Sequence, residues 1–322
     1  MQRKAIIRCT PHSKAFMIET QDLTRTFDGL LAVDRVSLSI RDGEAFAFLG
    51  PNGAGKTTTV RMLCCLIAAS SGKAFIGGLD ISDKKDQVKI RGMIGLLPEN
   101  PGLYESLGAH RNIEFFAKLY GVPISEREER IRSLLKTLNL WERRNEPVGK
   151  FSKGMKQKVA IARALVHHPD YLFLDEPTAA LDPESAKTVR EFLIELKREG
   201  VTLFLNTHNL DEAQRVSDRI GVLKSKLLAV GSPDELASRY FGRTSLVQLS
   251  ELRPEHVASI RSLPYVQDVR TSNGSILIDL DDPKKRNPEI VSLLAEQGAK
   301  IEHVEEVKHG LEDIYLKLMG GS

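Results

Sequence analysis

Cysteine is scarce in this 322-residue chain, which has Cys9 and the adjacent pair Cys64 and Cys65 and no others. An odd count without zinc-ligand spacing excludes a disulfide framework and a cysteine metal site, and points to a reducing interior. Cys64 and Cys65 then read as small buried apolar side chains. Long apolar runs are missing as well. The longest, Met62 to Ala69, falls far short of the ~18 residues of a membrane span, and the N-terminus has no apolar signal core. The chain therefore reads as soluble by itself. Nor does either charge dominate: 46 Lys and Arg against 43 Asp and Glu leave a net +3, with a pI of about 8.6. That is short of the strongly basic balance of a nucleic-acid binder, so no nucleic-acid partner is expected. What the chain does have is length, enough to bury roughly three quarters of its unfolded surface and to split into domains.

Residues 1–16 carry no period and read as a loosely ordered extension. From Met17 to about Leu97, β-like runs such as "LAVDRVSLSI", "AFAFLG" and "KAFIGG" surround one strong helix, "GKTTTVRMLCCLIA". Between about 98 and 150 the pattern is helical, an all-helical insertion; within it Ser125 stands three residues before Glu128, a capping box. After Phe151 helix and apolar strand alternate, as in a parallel sheet with helical crossovers. Residues 17–242 form one α/β domain on this reading. Residues 243–322 change texture: β, α, β, an Asn273-Gly274 turn, β, α, β and a closing helix predict a small ferredoxin-like α+β domain. The basic "KKRN", Lys284 to Asn287, reads as a solvated turn before a helix at Pro288.

Three stretches carry chemistry. In "GPNGAGKTT" the residues Gly50, Gly53, Gly55, Lys56 and Thr57 fit G-x-x-x-x-G-K-[ST] between an apolar strand and a helix. Such glycines let backbone N–H groups face phosphate oxygens, Lys56 can reach the β- and γ-phosphates, and the Thr57 hydroxyl suits Mg²⁺. In "YLFLDEP" four apolar residues deliver Asp175 and Glu176 to a strand end, where ligands gather in open α/β sheets. Asp175 is placed to bind Mg²⁺ and Glu176 to act as general base on water. His208 ends "VTLFLNTH" at a similar address, suited to a γ-phosphate contact. The stretch "FSKGMKQKVAIARAL" adds a helix start whose serine, free N–H groups, Lys153 and positive dipole end make an anion site. Spacing alone leaves open which chain supplies that anion.

Together these residues resemble the nucleotide-binding subunit of an ABC transporter, over about Met17 to Ser232. Walker A is "GPNGAGKT", with Pro51, Asn52, Ala54 and Thr58 completing the ATP-binding loop; Walker B is "YLFLDE"; the D-loop is "AALD", ending at Asp182; the switch histidine is His208. The resemblance implies a P-loop NTPase (RecA-like) core with an antiparallel β subdomain, an ATPase activity, and ATP and Mg²⁺ as cofactors. It implies that Phe27 in "TRTFDG" stacks on adenine. It also matches "FSKGMKQ" to the signature usually written LSGGQ, with Ser152 and Gly154 retained and Phe151, Lys153 and Met155 departing from it. In the family two subunits pair head to tail, each signature closing its neighbour's site, so a homodimer or paired ABC ATPase subunit is expected. Glu99 stands where the family commonly has a metal-contacting Gln, and predicts a stricter Mg²⁺ requirement.

"LPENPGLYE", "SKGMKQ" and the ending "LEDIYLKLMG" resemble subunits driving ABC-2 type exporters. An integral membrane permease is then the partner, and the location is cytoplasmic, peripheral at the inner face of the cell membrane. Tyr104, Phe115 and Phe116 could line the groove for that permease, although at helical spacing Phe115 or Phe116 fits the insertion core better. Rival readings are a soluble ABC ATPase acting on DNA or ribosomes, and a P-loop small-molecule kinase.

Overall fold

The computed structural model describes residues 17–179, 181–272 and 274–320. The expected extension with Cys9, Ala180 of the D-loop and Asn273 of the expected turn lie outside them. The chain divides into two compact units, Met1–Ser232 and Pro233–Ser322.

The first unit runs β1 (Met17–Phe27), β2 (Leu30–Arg41), β3 (Ala45–Leu49), α1 (Lys56–Leu63), β4 (Ser71–Ile76), β5 (Leu79–Asp80), α2 (Lys84–Met93), β6 (Ile94–Leu97), α3 (Ala109–Leu119), α4 (Ile124–Thr137), α5 (Lys153–Leu165), β7 (Tyr171–Asp175), α6 (Pro183–Arg198), β8 (Thr202–Thr207), α7 (Leu210–Val216), β9 (Arg219–Lys224) and β10 (Lys226–Gly231). Two sheets organise it. An antiparallel one has the order β2-β1-β4-β5, and a six-stranded one the order β10-β9-β3-β8-β7-β6, in which β9, β3, β8, β7 and β6 are parallel. β3, β7 and β8 are buried along their whole length, as parallel strands covered on both faces must be. Their apolar composition follows. Phe46, Phe48, Phe173 and Phe204 pack against one another with ring centroids 5.1–5.6 Å apart. Each such burial stabilises by about 1.5–3 kcal/mol, so this cluster fixes the strands whose ends carry the site.

The second unit runs α8 (Pro233–Phe241), β11 (Arg243–Leu249), α9 (Pro254–Arg261), β12 (Val266–Ser272), β13 (Ser275–Leu280), α10 (Pro283–Glu296), β14 (Ile301–Val307) and α11 (Leu311–Gly320). Its antiparallel sheet has the order β12-β13-β11-β14, the ferredoxin-like arrangement. Val247, Ile260, Ile276, Ile278, Ile290 and Leu294 form its core. α8 belongs here, ten residues ahead of the boundary suggested by sequence texture: Phe241 stacks on His309 at 4.1 Å and Lys317 donates to the Tyr240 carbonyl.

Several local expectations are corrected. Helix α4 has Pro123 as its N-cap and no side-chain cap; Glu128 instead pairs with His110 Nε2 at 2.8 Å, so Ser125 makes no capping box. "KKRN" is the first turn of α10, capped by Asp282 with Pro283 behind it. There Asn287 Oδ1 accepts from Ser245 Oγ at 2.6 Å, and Arg286 lies over the Tyr265 ring and pairs with Asp281. The stretch from 17 to 97 holds two helices, because Asp83 caps α2. Phe115 lies on the surface, 46% exposed, while Ile113 and Ala117 fill the core of the insertion. α1 also ends earlier than the apolar run suggests, with Cys64 buried at its C-cap and its thiol held well above its ordinary range by burial.

Candidate functional site

The parallel register sets the strand ends level: Leu49 lies opposite Thr207, Asp175 opposite Asn206 and Leu97 opposite Leu174. Segments 50–56, 98–99, 175–176 and 207–208 therefore leave the sheet at one carboxyl edge, the ligand-binding side of such sheets.

Between β3 and α1 the loop closes on Gly55, at φ 95°. A Cβ there would stand 2.4 Å from the Ala32 carbonyl oxygen, so no other residue fits. No side chain caps α1, which leaves the first-turn N–H groups aimed out of the loop, a ready anion cradle. Lys56 is buried and donates from Nζ to the carbonyls of Gly50 at 2.6 Å and Pro51 at 3.2 Å. Burial pushes its pKa down, and the carboxylates of Glu176 and Asp175 work against that. The result is an ammonium held in the loop with two anions nearby.

Asp175 is 5% exposed and accepts from Thr57 Oγ1 at 2.9 Å and from Asn206 Nδ2 at 3.4 Å. Burial raises its pKa, the Thr57 and Asn206 bonds oppose this, and the charge of Glu99 raises it further, which puts the exposed Glu99 within electrostatic reach. A hydroxyl and two carboxylates make a hard oxygen set, and this fits Mg²⁺. Among the described residues no group of three or more His, Cys, Asp or Glu could hold a metal. Mg²⁺ does not need one, since it is ordinarily held by one or two carboxylates, water and substrate phosphate.

Glu176 leaves the strand in the left-handed region, at φ 52°, with its N–H donating to the Asn206 carbonyl at 2.9 Å. Its Oε1 lies 2.8 Å from His208 Nδ1, and the two side chains differ in exposure, 14% for the glutamate and 64% for the histidine. Lys56, Thr57, Asp175, Glu176, His208 and Glu99 thus converge.

The other expected residues lie elsewhere. Ser152 caps α5, its Oγ accepting from Met155 N at 3.2 Å, and Ser152 and Lys153 are exposed. Gly154 is buried against the start of α6; a Cβ would come within 2.9 Å of Ser185 Oγ and 3.6 Å of Asp182 Oδ2. Asp182 caps α6 through Ser185 N at 2.9 Å, and the backbone and hydroxyl of Ser185 hold its carboxyl below the usual range. Two helix starts therefore sit side by side. Among the described residues no hydrogen bond or ion pair joins 152–154 to 50–58. Phe27 ends β1 just before a two-residue turn with Asp28 and Gly29 both at positive φ, and it is 39% exposed with the Arg25 guanidinium 4.3 Å above its ring.

Sequence reasoning passed over three buried polar residues here. Asn206 steadies Asp175; an amide in the apolar run "VTLFLNTH" was the available signal. Gln157 Nε2 donates to the Pro177 carbonyl at 3.1 Å. Glu212, fully buried in α7, has its pKa raised by burial, with the Thr207 and Thr178 hydroxyls opposing. In sequence it looks like an ordinary first-turn acid.

Comparison with known proteins adds to this geometry. Residues 33–179 match the family model described as "ABC transporter", and residues 231–319 the model "ATP-binding protein DrrA1-3-like, C-terminal domain". The chain is 33% identical over 310 residues to the linearmycin resistance ATP-binding protein LnrL of Bacillus subtilis (strain 168), covering 94% of this chain and 98% of that protein. It is 32% identical over 304 residues to the Nod factor export ATP-binding protein I of Rhizobium sp. (strain N33), covering 94% and 97%. Among solved structures, a dimeric post-hydrolysis state of the ATP-binding cassette MJ0796 bound to ADP and Pi matches with a TM-score of 0.62 and 29% identity, over 67% of this chain and 98% of that one.

Proposed function

The chain belongs to the ATP-binding proteins of ABC transporters and is an ATPase, and from that premise we propose that two copies pair head to tail, close on MgATP and hydrolyse it to drive export through a separate membrane permease. The observation that carries this reading is the Glu176–His208 pair facing the Lys56 loop from the neighbouring strand ends. The amides of residues 53–58 and Lys56 take the β- and γ-phosphates. Thr57, Asp175 and Glu99 would hold Mg²⁺, which supplies charge neutralisation on the phosphate oxygens when bound. Glu176 accepts a hydrogen bond from the attacking water and acts as its general base, and His208 keeps that carboxylate oriented while reaching the γ-phosphate. Phe27 stacks on the adenine. This is positioning and charge stabilisation, without a covalent enzyme intermediate.

Ser152 and Lys153 are exposed and Gly154 is buried at the start of α5, and among the described residues no bond joins them to the phosphate loop of their own chain, so on this reading they serve a neighbour's nucleotide, with Asp182 beside them. A dimeric cassette among the structural neighbours supports the pairing. No helix among the described residues is long and apolar enough to cross a membrane. Tyr104 and Phe115, each 46% exposed with rings 5.3 Å apart, form the surface offered to that permease. Full-length likeness to a resistance and an export protein favours a transporter subunit over a factor acting on DNA or ribosomes.

The test is light scattering with MgATP. Glu176→Gln should dimerise, and adding Ser152→Arg should leave monomers. Monomers in both cases overturn the proposal.

A further inference from the structure

Helix α5 has two attachments that differ in kind. At its start Ser152 and Lys153 face solvent, while Gly154 lies against the first turn of α6. One turn further along, on the same face as Gly154, Gln157 is 6% exposed and donates from Nε2 to the carbonyl of Pro177 at 3.1 Å. Pro177 is the residue after Glu176, so the bond fastens α5 to the turn that carries the Glu176 carboxylate. Among the described residues that turn is also held by Glu176 N to the Asn206 carbonyl at 2.9 Å, Ala179 N to the Glu176 carbonyl at 3.2 Å, Leu181 N to the Thr178 carbonyl at 3.2 Å and the Glu176–His208 contact at 2.8 Å, none of which reaches α5. It also holds a non-glycine residue in the left-handed region, which persists only where surroundings enforce it. A helix moves as a rigid body over one turn. A displacement of its start is therefore delivered to the Pro177 carbonyl.

We propose that Gln157 is a positioning residue that couples the two nucleotide sites of the dimer: seating the start of α5 on the neighbour's phosphate sets, through the Gln157–Pro177 bond, the Glu176 carboxylate of its own site. This rests on the head-to-tail pairing proposed above. It also accounts for a buried amide at a helix position where an apolar side chain would pack as well. Losing the bond leaves the phosphate loop, Lys56 and the start of α5 intact, so nucleotide binding and closure persist while hydrolysis in the closed dimer slows.

The test uses the full chain with Gln157→Met, which keeps length and removes the donor, and Gln157→Glu, which keeps volume and sets an acceptor against the carbonyl. Each should lose about tenfold or more in kcat, the scale of a misplaced reacting group, with KM for MgATP within about twofold of the parent. Each should also accumulate the MgATP dimer in light scattering with Glu176 intact, which a merely structural weakening would not do. A kcat within twofold of the parent in both variants overturns the proposal. So does a fall in kcat without dimer accumulation. Failure of Glu176→Gln alone to dimerise removes the pairing itself, and is seen before either Gln157 variant is measured.

Discussion

The parallel sheet buries ionisable groups at both of its edges, and the two edges use them differently. At the carboxyl edge Lys56 is pushed down and Asp175 up, opposite charges facing one loop that leads into a helix start with no side-chain cap. At the amino edge, where β7 and β8 begin, burial pushes Arg130 down to about 10 and His167 and His168 to about 4. These groups are spent on the protein itself: Arg130 Nη2 donates to the Leu165 carbonyl at 2.8 Å, and the neutral His167 ring meets the Ile94 carbonyl at 2.9 Å while stacking on Tyr120. A shifted pKa therefore marks burial at either edge. Only convergence of unlike groups on an open anion cradle marks chemistry.

Substitutions at the two edges should separate these roles. The largest effect belongs to Asp175→Asn. It should lower phosphate release by about 100-fold, as loss of a group stabilising transition-state charge does. It should also raise the melting temperature at pH 7. A raised folded-state pKa means that the ionised form is disfavoured in the native state. That cost is absent below the ordinary carboxyl value of 3.8 and accrues as pH rises from there through the folded value, so the stability gain of the asparagine protein should be smaller near the ordinary carboxyl value than at neutral pH. Equal gains at both pH values would break the contrast.

The amino edge should titrate with the other sign. His167 and His168 favour their neutral forms in the native state, so the stability they lend is complete above pH 6.5 and is lost as pH falls toward about 4. His167→Phe keeps a ring against Tyr120 and should flatten that decline in thermal melts, with hydrolysis at pH 7.5 unchanged to about twofold, since surface-remote changes leave the reacting groups in place. A steeper decline, or a large loss of hydrolysis, would assign this edge a catalytic part. The smallest effect sharpens the carboxyl edge: Glu99→Gln should need less Mg²⁺ for half-maximal rate, by about threefold, because a neutral amide is not repelled by the γ-phosphate. Superimposable Mg²⁺ titrations would remove Glu99 from the site.

Contiguous features were legible from the amino acids. The phosphate loop, the acid-tipped strand and His208 each depend on neighbours in sequence, and the register of three buried strands then brings them to one edge. Pairings between distant positions were not legible. Gln157 lies inside a recognised helix, yet only the fold reveals Pro177 opposite it; Asn206 reaches Asp175 only because β7 and β8 are adjacent. Helix α2 escaped because Ile90 is its one buried residue, too little for an apolar period. Glu128 and Asn287 were misread for one common reason: each has a partner from another element, His110 and Ser245, that no local pattern records. Spacing did not say which of Phe115 and Phe116 turns inward: Phe116 is half-buried and Phe115 exposed, since one helix face cannot bury every aromatic it carries.

The left-handed backbone at Glu176 has a consequence for the protein's evolution in the laboratory. Glycine or asparagine would relax that residue, so a screen for heat resistance alone should drift toward Glu176→Gly or Glu176→Asn. Such winners would be sturdier and inert: the most comfortable conformer at this bend is one without the group that fires the motor.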